Sequence, residues 1–233
     1  MKKIGFIIFV LALLVGVVFA NFTSFGKADI GAFNFTFKRG ERGSGNVVTE
    51  KRGLSGFKAI EVGGVFNVEI VAQKEFSVEV EADDNLLPLI KTEVHNGVLE
   101  ISSEKRIRSK TRMTIRIGAP DIERLEVSGV AKVSLADVSN EKLTVDTSGA
   151  SKVMLAGQTR DLTVDVSGAS KVDAASVSSV NAFVDASGAS KVSVNVSGDL
   201  KADLSGASTV TYSGTPTNID KKTSGASKVV AAN

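Results

Sequence analysis

The residues able to do chemistry in this chain recur at fixed offsets from a repeated Ser-Gly pair. Two positions before the pair stands an acid: Glu126, Asp146, Asp165, Asp185 and Asp203. Four positions after the Ser stands a base: Lys132, Lys152, Lys171, Lys191 and Lys228. A separate basic run holds Lys105, Arg106, Arg108, Lys110, Arg112 and Arg116. If the repeats stack, the first two sets become an acidic and a basic stripe. Such stripes are either solvated faces that keep the protein from aggregating or a regular surface for a repetitive ligand such as a polysaccharide. The basic run is either a solvated hairpin or a patch for acidic glycans or lipid headgroups. Catalytic sets are hard to assemble. The chain has no Cys and one His, His95, in an apparent His95-Asn96-Gly97 turn. A Ser nucleophile would need a base and an elbow motif, and no Gly-x-Ser-x-Gly is present. Phosphate-cradling and dinucleotide glycine motifs are absent, as is the glycine-aspartate nonapeptide of calcium-loaded rolls. No cofactor or metal is therefore expected.

The element that must position these residues is a hexapeptide repeat. Ser148-Gly149-Ala150-Ser151-Lys152-Val153 recurs unchanged at 167, 187 and 224, with one change at 205 and a looser copy at 128. The steps between copies are 20, 19, 20, 18 and 19 residues. Leu143-Thr144-Val145-Asp146 and Leu162-Thr163-Val164-Asp165 lead into their copies with period-two alternation, which means strands. One such unit cannot bury its own apolar face, and stacking the units can. The reading is an all-β parallel β-helix, a solenoid of about 19 residues per coil with three short faces. An invariant Gly marks a bend that needs an unusual backbone angle or a close approach. The Ser pairs fall at the same corner, where their hydroxyls can bond backbone groups or the next coil.

Composition supports this division. Of 12 Phe, only Phe183 lies beyond Phe76, so the repeats must build their core from small aliphatic side chains. Ile60-Glu61-Val62-Gly63-Gly64-Val65-Phe66-Asn67-Val68 aligns with residues 125–133, so the solenoid should begin near Phe57. Between the copies, strands are expected at 76–82, 97–103 and 111–117, as wider coils or hairpins capping the stack. Residues 1–20 read as a signal peptide or N-terminal anchor, with Lys2-Lys3 before an uncharged run from Ile4 to Ala20. Residues 21–56 read as linker plus edge, with Phe33-Asn34-Phe35-Thr36-Phe37 as one strand and a Gly-rich, charged link after it. The domain proper is then 57–233, with irregular entry coils over 57–124 and regular repeats over 125–233. The formal charge of +2 gives no general reason to bind nucleic acid. Membrane contact is expected only through residues 4–20, if they stay attached.

These segments carry a resemblance. Residues 57–62 and 64–70, residues 78–90, residues 97–101 and the Ser-Gly-Ala-Ser copies are together similar to the head GIN domain family of auto-transporter adhesins. The resemblance implies a right-handed, single-stranded β-helix that is exported by bacteria and is adhesive rather than catalytic. It brings no catalytic residues with it. Three readings stay open: a non-enzymatic envelope protein that binds a glycan or cell-surface partner, a polysaccharide lyase or hydrolase, and a structural module that self-associates end to end. The second has only Phe183 and Tyr212 as sugar platforms within the repeats.

Overall fold

The computed structural model describes residues 40–73 and 75–232. The signal or anchor at residues 1–20 and the Phe33–Phe37 strand lie outside these residues. Among the described residues there is no α-helix, and none that is long and apolar enough to cross a membrane. The fold is an all-β solenoid of about five turns, with coils about 20 residues apart.

Each coil contributes to two long parallel ladders. One ladder stacks Val98–Ser103, Ala59–Gly64 and Arg124–Gly129. It continues through the C-terminal parts of Lys132–Thr147, Lys152–Val166 and Lys171–Ala186 to Asp199–Leu204 and Asn218–Thr223. The other stacks Thr114–Ala119, Asn67–Ala72, the N-terminal parts of the same three strands, Lys191–Val196, Thr209–Gly214 and Lys228–Ala231. A shorter third face joins them, and the register slips between Leu135 and Val138 where the strand rounds the corner. The three short faces read from the sequence are thus run together into strands of 15 or 16 residues that bend without breaking.

Alternation builds the core. Val133, Leu135, Val145, Val153, Val164, Val172 and Val184 all point inward and are buried. Phe57 and Phe66 are buried only in the entry coil, where the core is wider, and Phe57 packs against Phe76 with ring centres 5.0 Å apart. At the Ser-Gly corner the chain turns so tightly that successive glycines stack. Gly168 has φ +84°, and a Cβ there would lie 2.5 Å from the Gly149 carbonyl oxygen. Both reasons for glycine hold at once.

The region before the repeats is hairpins laid against the first coil. Ile90–His95 and Val98–Ser103 pair antiparallel around Asn96-Gly97, whose two positive φ values suit a tight hairpin turn. Ser77–Asp83 pairs antiparallel with Thr114–Ala119 on one side and with Val47–Arg52 on the other. The last pairing corrects the linker reading of this stretch. Residues 47–52 are an edge strand whose side chains are almost all exposed, so no apolar alternation announces it.

At the far end, Asn218–Thr223 forms the last rung of its ladder. There Ile219 stands over Leu200 and Lys221 over Ala202. Lys221 therefore occupies a column that reads Val145, Val164, Val184 and Ala202 in the coils before it.

Candidate functional site

The register places the sequence ladders as expected. Lys132 is opposite Lys152, Lys152 opposite Lys171 and Lys171 opposite Lys191. Thr209 then interrupts the column before Lys228. Like charges about 4.8 Å apart repel by about 1 kcal/mol in a water-like dielectric. The one pairing seen in this column among the described residues is Lys171 with Asp173 at 3.8 Å.

The acidic column is longer than the repeat suggested. Glu100 and Glu61 precede Glu126, and Asp146, Asp165, Asp185 and Asp203 follow in register. Three of its rungs are compensated. Arg124 pairs with Glu126 at 3.0 Å and with Asp146 at 3.3 Å, and Lys222 stands in register beside Asp203. Asp165 is not: partial burial, then the charges of Asp185 and Asp146, raise its carboxyl above its ordinary range.

The two columns flank the Ser-Gly corner, and the second serine of each regular copy spends its hydroxyl within the stack. Ser151 and Ser170 are buried with their oxygens 3.2 Å apart, and the Ser190 hydroxyl donates to the Ser187 carbonyl at 2.8 Å. None is placed as a nucleophile. His95 is exposed beside Glu93, whose hydrogen bond at 3.0 Å raises the imidazole pKa. Phe183 is exposed with the Lys201 ammonium 5.5 Å from its ring centre, while Tyr212 is half-buried.

The basic run does not form one patch. Arg116 turns toward acids, 3.5 Å from Glu69 and 3.0 Å from Glu81. The remainder lies on a loop, residues 104–113, that folds back over the start of the solenoid. Asp83 holds it: this carboxylate is 1% exposed and accepts hydrogen bonds from the hydroxyls of Ser109 at 2.7 Å and Thr111 at 2.8 Å. Ile107–Arg108 adds a short parallel pairing with Glu41–Arg42.

Between this loop and the first coils lies a groove of about 600 Å³. Arg106, Arg108 and Arg112 enter it from the loop, and Lys132 and Lys152 from the ladder. No carboxylate lines it, and among the described residues none of these five cations forms an ion pair. The structure thus joins two features that the sequence kept apart. Lys171, Lys191 and Lys228 lie beyond the groove on the stack, and Lys105 is outside its lining. Sequence reasoning missed Asp83 as the anchor because an Asp-Asp-Asn run reads simply as a turn.

A model of a protein family described as "Putative auto-transporter adhesin, head GIN domain" matches residues 56–216. The chain belongs to this family. Solved structures agree on the fold of this head GIN domain protein. A "putative adhesin" from Bacteroides fragilis superposes with a TM-score of 0.70 at 20% identity, covering 83% of this chain and 100% of that one. A "putative lipid binding protein" from Parabacteroides distasonis superposes with a TM-score of 0.53 at 17% identity, covering 83% and 99%. No curated protein sequence matches the chain.

Proposed function

We propose that this head GIN domain protein is an exported, non-enzymatic envelope protein that adheres to an acidic polysaccharide along its lysine column. The observation that carries the reading is the register of Lys132, Lys152, Lys171 and Lys191 on four consecutive coils. Ammonium groups repeated about 4.8 Å apart on a rigid ladder match a polymer that presents anions at regular intervals. The family description and the adhesin neighbour support an adhesive role at a cell surface. Export is supported by the apolar run behind Lys2-Lys3. The placement of acids and bases on opposite sides of a corner whose inner serine hydroxyls are committed supports a non-catalytic role.

The test is binding of the purified chain to a panel of acidic and neutral bacterial polysaccharides at low ionic strength. Acidic polymers should bind, binding should weaken with salt, and a Lys152→Gln, Lys171→Gln, Lys191→Gln variant should bind several-fold less. No binding across the panel, or an unchanged triple variant, would overturn the reading.

A further inference from the structure

The groove beside the loop differs from the lysine column in a way that points to a different ligand. Its volume is that of a site for one compact group rather than a track for a polymer. Its cations converge from two elements. Beside the cations and a few small polar side chains the lining carries apolar ones: Phe66, Ile107 and Met113, with Val65 and Val130 as a lip. These two valines are the most exposed large apolar side chains among the described residues, at 63% and 59%.

They also break the repeat. In the five regular copies the residue after Ser-Gly is Ala: Ala150, Ala169, Ala189, Ala207 and Ala226. In the first two coils, at Val65 and Val130, it is Val, while Ala150 of the third coil at the groove keeps Ala. The fold does not require the larger side chain, since the corner is the same: Gly129 stacks on Gly64 as Gly149 stacks on Gly129. Two extra isopropyl groups are placed in water just where Arg106, Arg108 and Arg112 gather. A sugar needs acceptors and stacking rings. Here Ser109 and Thr111 are committed to Asp83, Ser151 to Ser170 and the Asn67 amide to Glu69, which leaves Ser103 as the one uncommitted hydroxyl among the described residues of the lining, and the lining holds no carboxylate, Trp or Tyr.

From this we infer that the groove binds the headgroup end of an anionic phospholipid. Its phosphate sits among the loop arginines and Lys132 and Lys152, and Val65 and Val130 enter the acyl boundary beside it. Guanidinium forks match phosphate oxygens, and exposed apolar side chains next to basic residues are what a protein resting on a bilayer surface presents. The solenoid would then stand on a membrane by its entry coil, with Lys171, Lys191 and Lys228 of the lysine column left free for its polymer. This goes beyond the adhesive reading and does not depend on it.

The test is sedimentation of the chain with phosphatidylcholine vesicles, with and without phosphatidylglycerol. Binding is expected only to the anionic vesicles. Each of Arg106→Gln, Arg108→Gln and Arg112→Gln should lower the partition constant by about fivefold. Val65→Ala with Val130→Ala, which restores the residue of the regular copies and so keeps the fold, should lower it by about tenfold or more. Lys171→Gln with Lys191→Gln should leave vesicle binding unchanged while weakening polysaccharide binding, which separates the two proposals. Absence of binding to anionic vesicles would overturn the assignment. So would an equal loss in the loop and column variants, which would mean diffuse attraction, or full binding by the double alanine variant, which would mean that nothing apolar inserts.

Discussion

Asp165 is the rung at which the acidic column works against the fold, and Asp165→Asn should stabilise the protein. Asp146 and Asp185 stand in register on either side of it. At about 4.8 Å in water-like dielectric each neighbour contributes about 0.9 kcal/mol of repulsion. Screening at physiological salt, with a Debye length of about 8 Å, reduces the pair to about 1 kcal/mol in total. The sign follows from the raised pKa. A carboxylate whose folded pKa exceeds its unfolded value destabilises the fold once ionised. The asparagine variant should therefore gain about 1 kcal/mol at pH 7. The gain should vanish as pH falls through the folded and then the unfolded pKa, and it should shrink in 1 M salt. Urea denaturation of both proteins at pH 7 and pH 3 reads this out as a shift in midpoint at constant slope. Asp146→Asn is the internal control, because Asp146 is paired with Arg124 at 3.3 Å and its neutralisation should bring no such gain. If Asp165→Asn destabilises at pH 7, or stabilises equally at both pH values, the electrostatic account of the column is wrong.

Other outcomes follow from the packing. Gly168→Ala forces a side chain into a left-handed backbone and against the Gly149 carbonyl, and should cost about 2 kcal/mol or more in urea denaturation; a cost below about 0.5 kcal/mol would mean that the corners do not need glycine. Asp83→Ala leaves Ser109 and Thr111 without their acceptor and should release the loop, so trypsin should cut after Arg106 and Arg108 much faster than in the parent while the coils stay intact. Unchanged cleavage kinetics would show that the loop is held by something else. Ser170→Ala removes one member of a buried hydroxyl pair and should cost about 1 kcal/mol, with Ser167→Ala, half-buried at the same corner with a longer bond to the Thr147 carbonyl, costing less.

The parts legible in the sequence are those fixed by repetition. A hexapeptide returning every 18 to 20 residues dictates that position n of one coil lies over position n of the next. The lysine and aspartate columns follow from that repetition alone. The small-residue core was equally plain, because Val and Ala alternate where Phe is missing. What could not be read depends on contacts made once. Val47–Arg52 is exposed along all but its last residue and finds its partner some thirty residues on, so neither alternation nor a turn signal marks it. The groove exists because Asp83 draws residues 109 and 111 across the first coil, and nothing local to either segment encodes that approach. The Val-for-Ala exchange at 65 and 130 was in view in the sequence but had no meaning until the loop was placed beside it.

Lys221 gives the stack a chemically distinct final face. Any further coil laid over it, from a second molecule or from more chain, would have to carry an ammonium into the line of Val145, Val164, Val184 and Ala202. Burying an unpaired charge costs several kcal/mol, enough to cancel much of what a new rung gains from its backbone ladder. Growth of an ordered array resembles the growth of a crystal, and one foreign group on the advancing face poisons it. A repeat with so uniform an interior is the kind of template on which fibres grow, and Lys221, out of pattern on this rung, works against such growth.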